Sequence, residues 1–386
     1  MTVPRITGAE LAGGPDRPLL VVGPSLGTSA AALWSGVAGR LAGAFHVVGW
    51  NLPGHDGAPV GEPFTLDELA AGVLAYADGV RAARGDGGAG FAYAGDSIGG
   101  AVGLRLLLDA PGAVRAAALL CTGATIGTAE SWRERAATVR ASGTATMVTR
   151  SARTWFAPGF LEREPVIATA LLHVLQYADA EGYAQACEAL AGFDVRERLG
   201  EIGVPVLAVA GAEDAATPVD GLERLASGVR DGRLVVLDGV AHQAPAEAPA
   251  RVAELLGAHF APADPHAAGM AVRRAVLGDA HVDRATAAAT DLTADFQDLI
   301  TRYAWGTIWT RPGLDRRSRS IATLTALIAR GHHDEFAMHV RAALRNGLSV
   351  GELREVILHS AIYCGVPDAN TAFRIAQRVL AEDGHE

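Results

Sequence analysis

Residues 1–260 alternate short apolar runs with longer segments whose apolar positions recur at helical spacing. Leu19–Val22, Phe45–Trp50, Phe91–Ala94, Ala116–Cys121, Val204–Ala210 and Arg233–Leu237 predict strands. Ala31–Leu41 and Leu66–Arg84 predict helices. This alternation predicts a mostly parallel sheet with helices on both faces. Residues 125–198 break the rhythm: they read as helical, with Trp132, Trp155 and Phe156 scattered among arginines, and suit a cap above the strand ends. After residue 270 the strand signals stop, and helical runs are expected near 283–304, 316–331, 333–346, 349–364 and 367–381. Between the two regimes, the stretch from Ala261 to Gly269 has two prolines, small residues and no periodicity. The expected organisation is an α/β domain over 1–262 with its cap at about 125–198, a linker over 263–269, and an all-helical domain over 270–386.

Composition changes this picture little. A length of 386 residues suits two domains, and 49% hydrophobic residues can fill both cores. No apolar run is long enough for a membrane span. Met1-Thr-Val-Pro-Arg5 has no apolar core, so no signal peptide is expected. Cys121, Cys187 and Cys364 are far apart and form no C-x-x-C or metal-ligand spacing, which suits a reducing cytoplasm and no metal. All 33 basic residues are arginine, and the net charge of −10 argues against a nucleic-acid partner. Residues 270–386 balance 14 arginines with 14 acids, so the whole −10 lies before them, as expected across a domain boundary.

The densest chemical signal is Gly95-Asp96-Ser97-Ile98-Gly99-Gly100, between a predicted strand and the apolar run Ala101–Leu108. G-x-S-x-G at a strand-to-helix turn forms a nucleophile elbow, with small neighbours where strand and helix pass closely. A serine there could instead only cap the helix. A serine nucleophile needs a base, and the base needs an orienting carboxylate. Asp214 follows the strand Val204–Ala210, and His242 follows the strand Arg233–Leu237. The chain order Ser97, Asp214, His242, each beyond a strand, fits a hydrolytic triad. Glu213 is the rival acid; His46, His173 and His259 are rival bases, and His55 is better suited to shaping its own turn. The oxyanion donors expected are the amides of Ile98 and, from the loop Gly23–Gly27, Leu26, with Ser25 as second choice because Pro24 has no N–H.

These residues resemble the α/β-hydrolase superfamily over about 15–260. Ser25-Leu26-Gly27-Thr28, Trp50-Asn51-Leu52-Pro53-Gly54-His55, the elbow, and the Thr217-Pro218 turn are most similar to 3-oxoadipate enol-lactonases. Cofactor-free haloperoxidases and carboxylesterases share most of these motifs. The resemblance implies a lactone with a free carboxylate, for which Trp132 and Arg133 of the cap are the expected contacts; Arg135 and Arg153 compete.

Two features mark the helical domain. Arg311, Arg316, Arg317 and Arg319 fall within nine residues, which suits anion binding or a solvated helix start. Glu335 and His339 lie four apart on one helix face, with His332 a turn earlier; an acid/base pair, a surface pair and a metal site all fit that spacing. Tyr303-Ala304-Trp305-Gly306, Trp309-x-Arg311-Pro312-Gly313-Leu314, Arg319, Glu335-x-x-x-His339, Asn346-Gly347 and the run His359–Pro367 resemble γ-carboxymuconolactone decarboxylases. Alkylhydroperoxidase D-like proteins share that all-α fold, but their C-x-x-C pair is absent here. The resemblance implies cofactor-free decarboxylation, with Trp305, Trp309, Arg311, Arg319 and His359 at the substrate and Glu335 or His339 handling the proton. Together the two resemblances imply a bifunctional enzyme of aromatic catabolism, assembled as a homo-oligomer through its helical domain. The alternative is a general esterase or perhydrolase carrying a non-catalytic oligomerisation module.

Overall fold

The computed structural model describes residues 2–86, 90–261, 265–311 and 313–384. The chain divides into two compact units, Met1–Ala261 and Pro262–Glu386.

The first unit is built on seven strands: β1 (Thr7–Ala12), β2 (Leu19–Gly23), β3 (His46–Asn51), β4 (Phe91–Asp96), β5 (Val114–Leu120), β6 (Val206–Gly211) and β7 (Gly232–Leu237). Their order is β1-β3-β2-β4-β5-β6-β7, parallel throughout except for β1. Strands β2, β4 and β6 are buried along their whole length. That is why they read as continuous apolar runs rather than alternations. β1 was not expected. Its sequence, Thr-Gly-Ala-Glu-Leu-Ala, is half-exposed, and its antiparallel pairing with β3 makes it a strand.

Helix Leu66–Arg84 has the bounds its sequence predicts. Thr65 and Glu68 form a capping box at its start, and Gly85 (φ 76°) ends it in the left-handed region. Five α-helices and a short 3-10 helix between Ala129 and Ala191 form the cap.

The second unit is all-helical. Two corrections apply. Of the linker expected over 263–269, residues 263 and 264 lie outside the described residues, and Pro265 opens a helix to Leu277. A proline is pre-organised for the first helical turn, so the residue read as a breaker is a start. The run expected over 283–304 is three elements: Asp279–Ala287, Ala294–Ile300 and a π-helix, Thr301–Ile308. The break falls at Thr290 and Thr293, where the Thr293 hydroxyl accepts from the Thr290 amide at 2.9 Å and competes with helix bonding. Helices Arg316–Arg330, His333–Arg345, Val350–Cys364 and Val366–Glu382 enclose a core around Leu324, Phe336, Val340 and Ile357. A second core gathers Val276, Leu277, Val282, Trp305 and Ala342.

Candidate functional site

Sheet register assembles the first site. Gly23 pairs with Gly95, so the loop after β2 opens beside the end of β4. Gly211 pairs with Leu237, so the loops carrying Asp214 and His242 leave neighbouring strand ends. Ser97 sits at the turn with φ 53° and ψ −115°, a strained conformation for a side-chain-bearing residue. The glycines around it are required by space. A Cβ on Gly95 would lie 2.2 Å from the Gly99 carbonyl oxygen, and one on Gly99 would lie 2.7 Å from that of Pro24.

His242 Nε2 lies 3.0 Å from Ser97 Oγ, and His242 Nδ1 lies 2.8 Å from Asp214 Oδ2. The network assigns the Nδ1 proton to the aspartate side and leaves Nε2 to accept from the serine. Asp214 also accepts the Thr217 hydroxyl at 2.6 Å and the amides of Ala216 and Thr217 at 2.8 and 3.0 Å. Burial pushes this carboxyl up, but His242 and the Thr217 bonds outweigh it and hold it below the usual carboxylate range. Glu213 is exposed. His259 bonds the Ala117 carbonyl, and buried His55 bonds the Pro53 carbonyl, shaping its own turn.

The amide of Ile98 starts the helix and so has no intrahelical acceptor. Ser25 is excluded as an oxyanion donor, because its amide already donates to Thr28 Oγ1 at 3.1 Å. Leu26 lines the cavity above Ser97.

One contributor was missed in the sequence. Glu247 accepts the amides flanking His242, Ala241 at 3.0 Å and Gln243 at 3.3 Å, on one oxygen, and the cap amide of Ala157 at 2.7 Å on the other. The amides of His242 and Gln243 donate in turn to the Trp155 carbonyl. The histidine loop is thus tied to the cap. Asp96 is fully buried; burial, with Asp214 and Glu247 nearby, pushes its carboxyl well above the usual range.

A cavity of about 540 Å³ opens over Ser97 and His242, walled by Leu26, Trp132, Met147, Trp155 and Tyr183. Arg135 and Arg150 line it; Arg133 does not and is exposed. A helix turns by about 100° per residue. Arg135, three positions on, therefore shares Trp132's face, with its guanidinium 4.7 Å from the indole, while Arg133 points elsewhere. Neither Arg135 nor Arg150 pairs with an acid among the described residues, although Glu134 also lines the cavity. Arg153 is exposed and not in the lining.

In the second unit the structure separates the residues that the motifs group together. Trp305 is buried, with its ring 5.1 Å from that of Trp309. His339 is largely buried; desolvation and the nearby His281, against Glu335, lower its imidazole to about 4, so it is neutral near pH 7. Its Nδ1 has no hydrogen-bond partner among the described residues. Glu335 is exposed. Arg311 is exposed, and Pro312 beside it lies outside the described residues. Arg319 donates to the carbonyls of Leu314 and Arg311 at 3.1 and 2.8 Å, and so braces that loop. Arg317 pairs with Glu352. His359 lies beside Tyr363, the ring centroids 5.0 Å apart and the planes tilted by 45°, on an exposed helix face. Arg311 and His359 are thus exposed, whereas Trp305 is buried and His339 largely so. No group of three or more His, Cys, Asp or Glu side chains suited to a metal occurs among the described residues.

Comparisons with known proteins match both units. Residues 19–255 match the Alpha/beta hydrolase family and residues 294–378 the Carboxymuconolactone decarboxylase family. A 4-carboxymuconolactone decarboxylase of Acinetobacter baylyi is 45% identical over 116 residues, covering 30% of this chain and 87% of that protein. A 3-oxoadipate enol-lactonase of the same organism is 35% identical over 228 residues, covering 58% of this chain and 82% of that protein. A nitrosuccinic acid decarboxylase of Metarhizium robertsii is 44% identical over 112 residues, covering 29% and 78%. The crystal structure of an enol-lactonase from Burkholderia xenovorans superimposes with a TM-score of 0.62 at 27% identity, covering 67% of this chain and 96% of that one.

Proposed function

This chain belongs to the alpha/beta hydrolase family and, in its second unit, to the carboxymuconolactone decarboxylase family; from that premise we propose that it carries out two consecutive reactions. The second unit decarboxylates 4-carboxymuconolactone to 3-oxoadipate enol-lactone, and the first hydrolyses that lactone to 3-oxoadipate. The observation that carries this reading is the fusion itself. The lactone left after one relative's decarboxylation is the substrate for which the other relative is named.

In the hydrolase, His242 takes the proton of Ser97 as Oγ attacks the lactone carbonyl. Asp214 holds the imidazole and stabilises its charged form. The amides of Leu26 and Ile98 receive the oxyanion. The ring oxygen leaves as an enol, which becomes a ketone. Water, activated by His242, then frees the acid from Ser97. The substrate's own carboxylate is bound by Arg135 and Arg150, with Trp132 beside the ring; two unpaired guanidiniums in the cavity support that role in place of Arg133.

In the decarboxylase, the substrate is its own electron sink. The C–C bond to the departing carboxylate breaks, its electron pair flows toward the lactone carbonyl, and a proton is returned to carbon. No cofactor is needed. Buried His339 is better placed than exposed Glu335 to handle that proton away from water.

The reading includes a cytoplasmic location, supported by three free cysteines, and a homo-oligomer. The apolar side chains of Leu358, Ile362, Tyr363 and Val366, exposed on the last two helices, support the latter. Intact protein supplied with 4-carboxymuconolactone is expected to release CO₂ and 3-oxoadipate in equal amounts. No CO₂, or a lactone that accumulates without being opened, refutes the reading.

A further inference from the structure

Two consecutive arginines on helix Pro265–Leu277 meet opposite environments. Arg274 is on the surface and pairs with Asp279 at 3.1 Å and Asp283 at 2.7 Å. Arg273 turns inward and is 5% exposed, yet no carboxylate among the described residues pairs with it. Its Nη1 donates to Thr301 Oγ1 at 3.2 Å and its Nη2 to Gln297 Oε1 at 2.9 Å, both neutral acceptors. Its Nε–H is buried and has no acceptor among the described residues. A guanidinium removed from water without a counter-charge is strongly disfavoured, so an arrangement of this kind calls for an anion from outside.

The surroundings favour the same charge. Burial and the charges of Arg273, Arg284 and Arg345 hold the His281 imidazole below its usual range. His281 in turn acts on His339, whose buried Nδ1 also has no hydrogen-bond partner among the described residues. The apolar side is supplied by Trp305 and Trp309, which pack with Val276, Leu277 and Val282. Trp305 lies within the π-helix Thr301–Ile308 and Trp309 caps its end; this is a rare geometry, frequent at functional sites. It is pinned to the arginine's helix. A Cβ on Gly306 would lie 1.9 Å from the Pro265 carbonyl oxygen, and one on Gly269 would lie 2.1 Å from that of Thr301.

We propose that Arg273, held by Gln297 and Thr301 beside the Trp305–Trp309 wall, binds the carboxylate that a small dicarboxylate substrate keeps when it loses the other as CO₂. The choice between the two carboxylates follows from charge flow. Negative charge leaves the departing group as it becomes neutral CO₂, so a fixed cation there would stabilise the ground state and slow the reaction. A cation on the retained group binds ground and transition states alike. Its removal therefore raises KM far more than it lowers kcat.

The inference rests on the decarboxylase reading, and its test separates the two. Arg273→Met in the full-length chain is expected to raise KM for CO₂ release about 10- to 100-fold, with kcat within about fivefold and opening of supplied enol-lactone unchanged. Arg273→Lys is expected to fall between. Gln297→Glu places a carboxylate on Nη2 without removing the arginine. It is expected to preserve or raise Tm while weakening substrate binding as Arg273→Met does. Calorimetric titration with the saturated lactone dicarboxylate, which has no conjugated carbonyl to receive the electrons, reads binding apart from turnover. Its affinity is expected to fall about tenfold or more in Arg273→Met and Gln297→Glu. If the wild type releases no CO₂ but binds this analogue through Arg273, the decarboxylase reading fails and the anchor stands. If the wild type turns over and either neutralising variant keeps wild-type KM and analogue affinity, the anchor is overturned.

Discussion

The two units solve chemical problems of unequal difficulty, and their sites differ accordingly. The hydrolase must make a nucleophile from a hydroxyl and hold an oxyanion. The structure offers for this a strained serine, a continuous Ser97–His242–Asp214 hydrogen-bonded chain, and an elbow whose glycines admit no side chain. All three non-glycine residues with positive φ among the described residues, Asp56, Ser97 and Cys121, lie in this unit. The decarboxylase acts on a substrate that carries its own electron sink, so a fixed charge, an apolar wall and one proton carrier suffice. Its candidate groups sit on separate helices: Arg273 on Pro265–Leu277, Trp305 on the π-helix, and His339 on His333–Arg345. The comparison suggests that a motif is compact where chemistry demands strain and contiguous geometry, and diffuse where it demands only a shaped electrostatic environment.

The sharpest way to break this contrast is a pair of reciprocal knockouts. Ser97→Ala is expected to cut lactone opening by about 10⁴-fold or more while CO₂ release continues and enol-lactone accumulates. His339→Gln is expected to cut CO₂ release by about 10²- to 10⁴-fold and leave lactone opening intact. Loss of both activities in either variant would show that the units are not chemically independent. Replacing the cavity arginines should act next most strongly. Arg135→Met or Arg150→Met is expected to raise KM for the enol-lactone about 10-fold or more with a smaller change in kcat, whereas Arg133→Met leaves both unchanged. A large effect confined to Arg133 would overturn the assignment.

Glu247→Gln should have a moderate effect. It leaves one oxygen for three amide donors and loosens the histidine loop from the cap. We expect kcat for lactone opening to fall about 5- to 30-fold with KM little changed, and an altered pH profile as His242 loses its fixed placement. Equal losses for any ester, with an unchanged pH profile, would point to a purely structural role. The smallest effect concerns Asp96. Its carboxyl is raised in the fold, so the folded chain holds a proton that the unfolded chain releases above about pH 4. That stabilising contribution is present at lower pH and is lost as pH rises through the folded value. Asparagine cannot titrate, so Asp96→Asn should gain Tm relative to wild type as pH rises above about 4. A pH-independent difference in Tm would show that Asp96 is not buried as a neutral acid.

The same contrast explains what was legible before the fold was known. Parallel strands buried on both faces appear as apolar runs, and the helix Leu66–Arg84 is bounded by a capping box and a terminal glycine, so each could be read locally. The half-exposed strand β1 could not, since only its partner β3 makes it a strand. The elbow was legible because strain restricts its neighbours to glycine. Arg133 and Arg135 could not be separated by type; the helix phase set by Trp132 separates them. Glu247 gave no signal, because its ligands are backbone amides, which every residue has.

Sequence alone determined the class of each unit and the coupling of two chemistries in one chain, and it singled out the hydrolase's candidate nucleophile, base and acid. These rest on local rules: spacing, chain order, small residues at a tight turn, and long motifs. Only the tertiary structure decided which cations are available to substrate. The prominent cluster at Arg311–Arg319 is exposed, braces a loop or pairs with Glu352, while Arg273, beside a surface arginine of the same type, is buried with no counter-charge among the described residues. The physical reason is that a charge acquires its role from desolvation and from the absence of a partner. Both are properties of what packs around a residue, and neither is written at its own position.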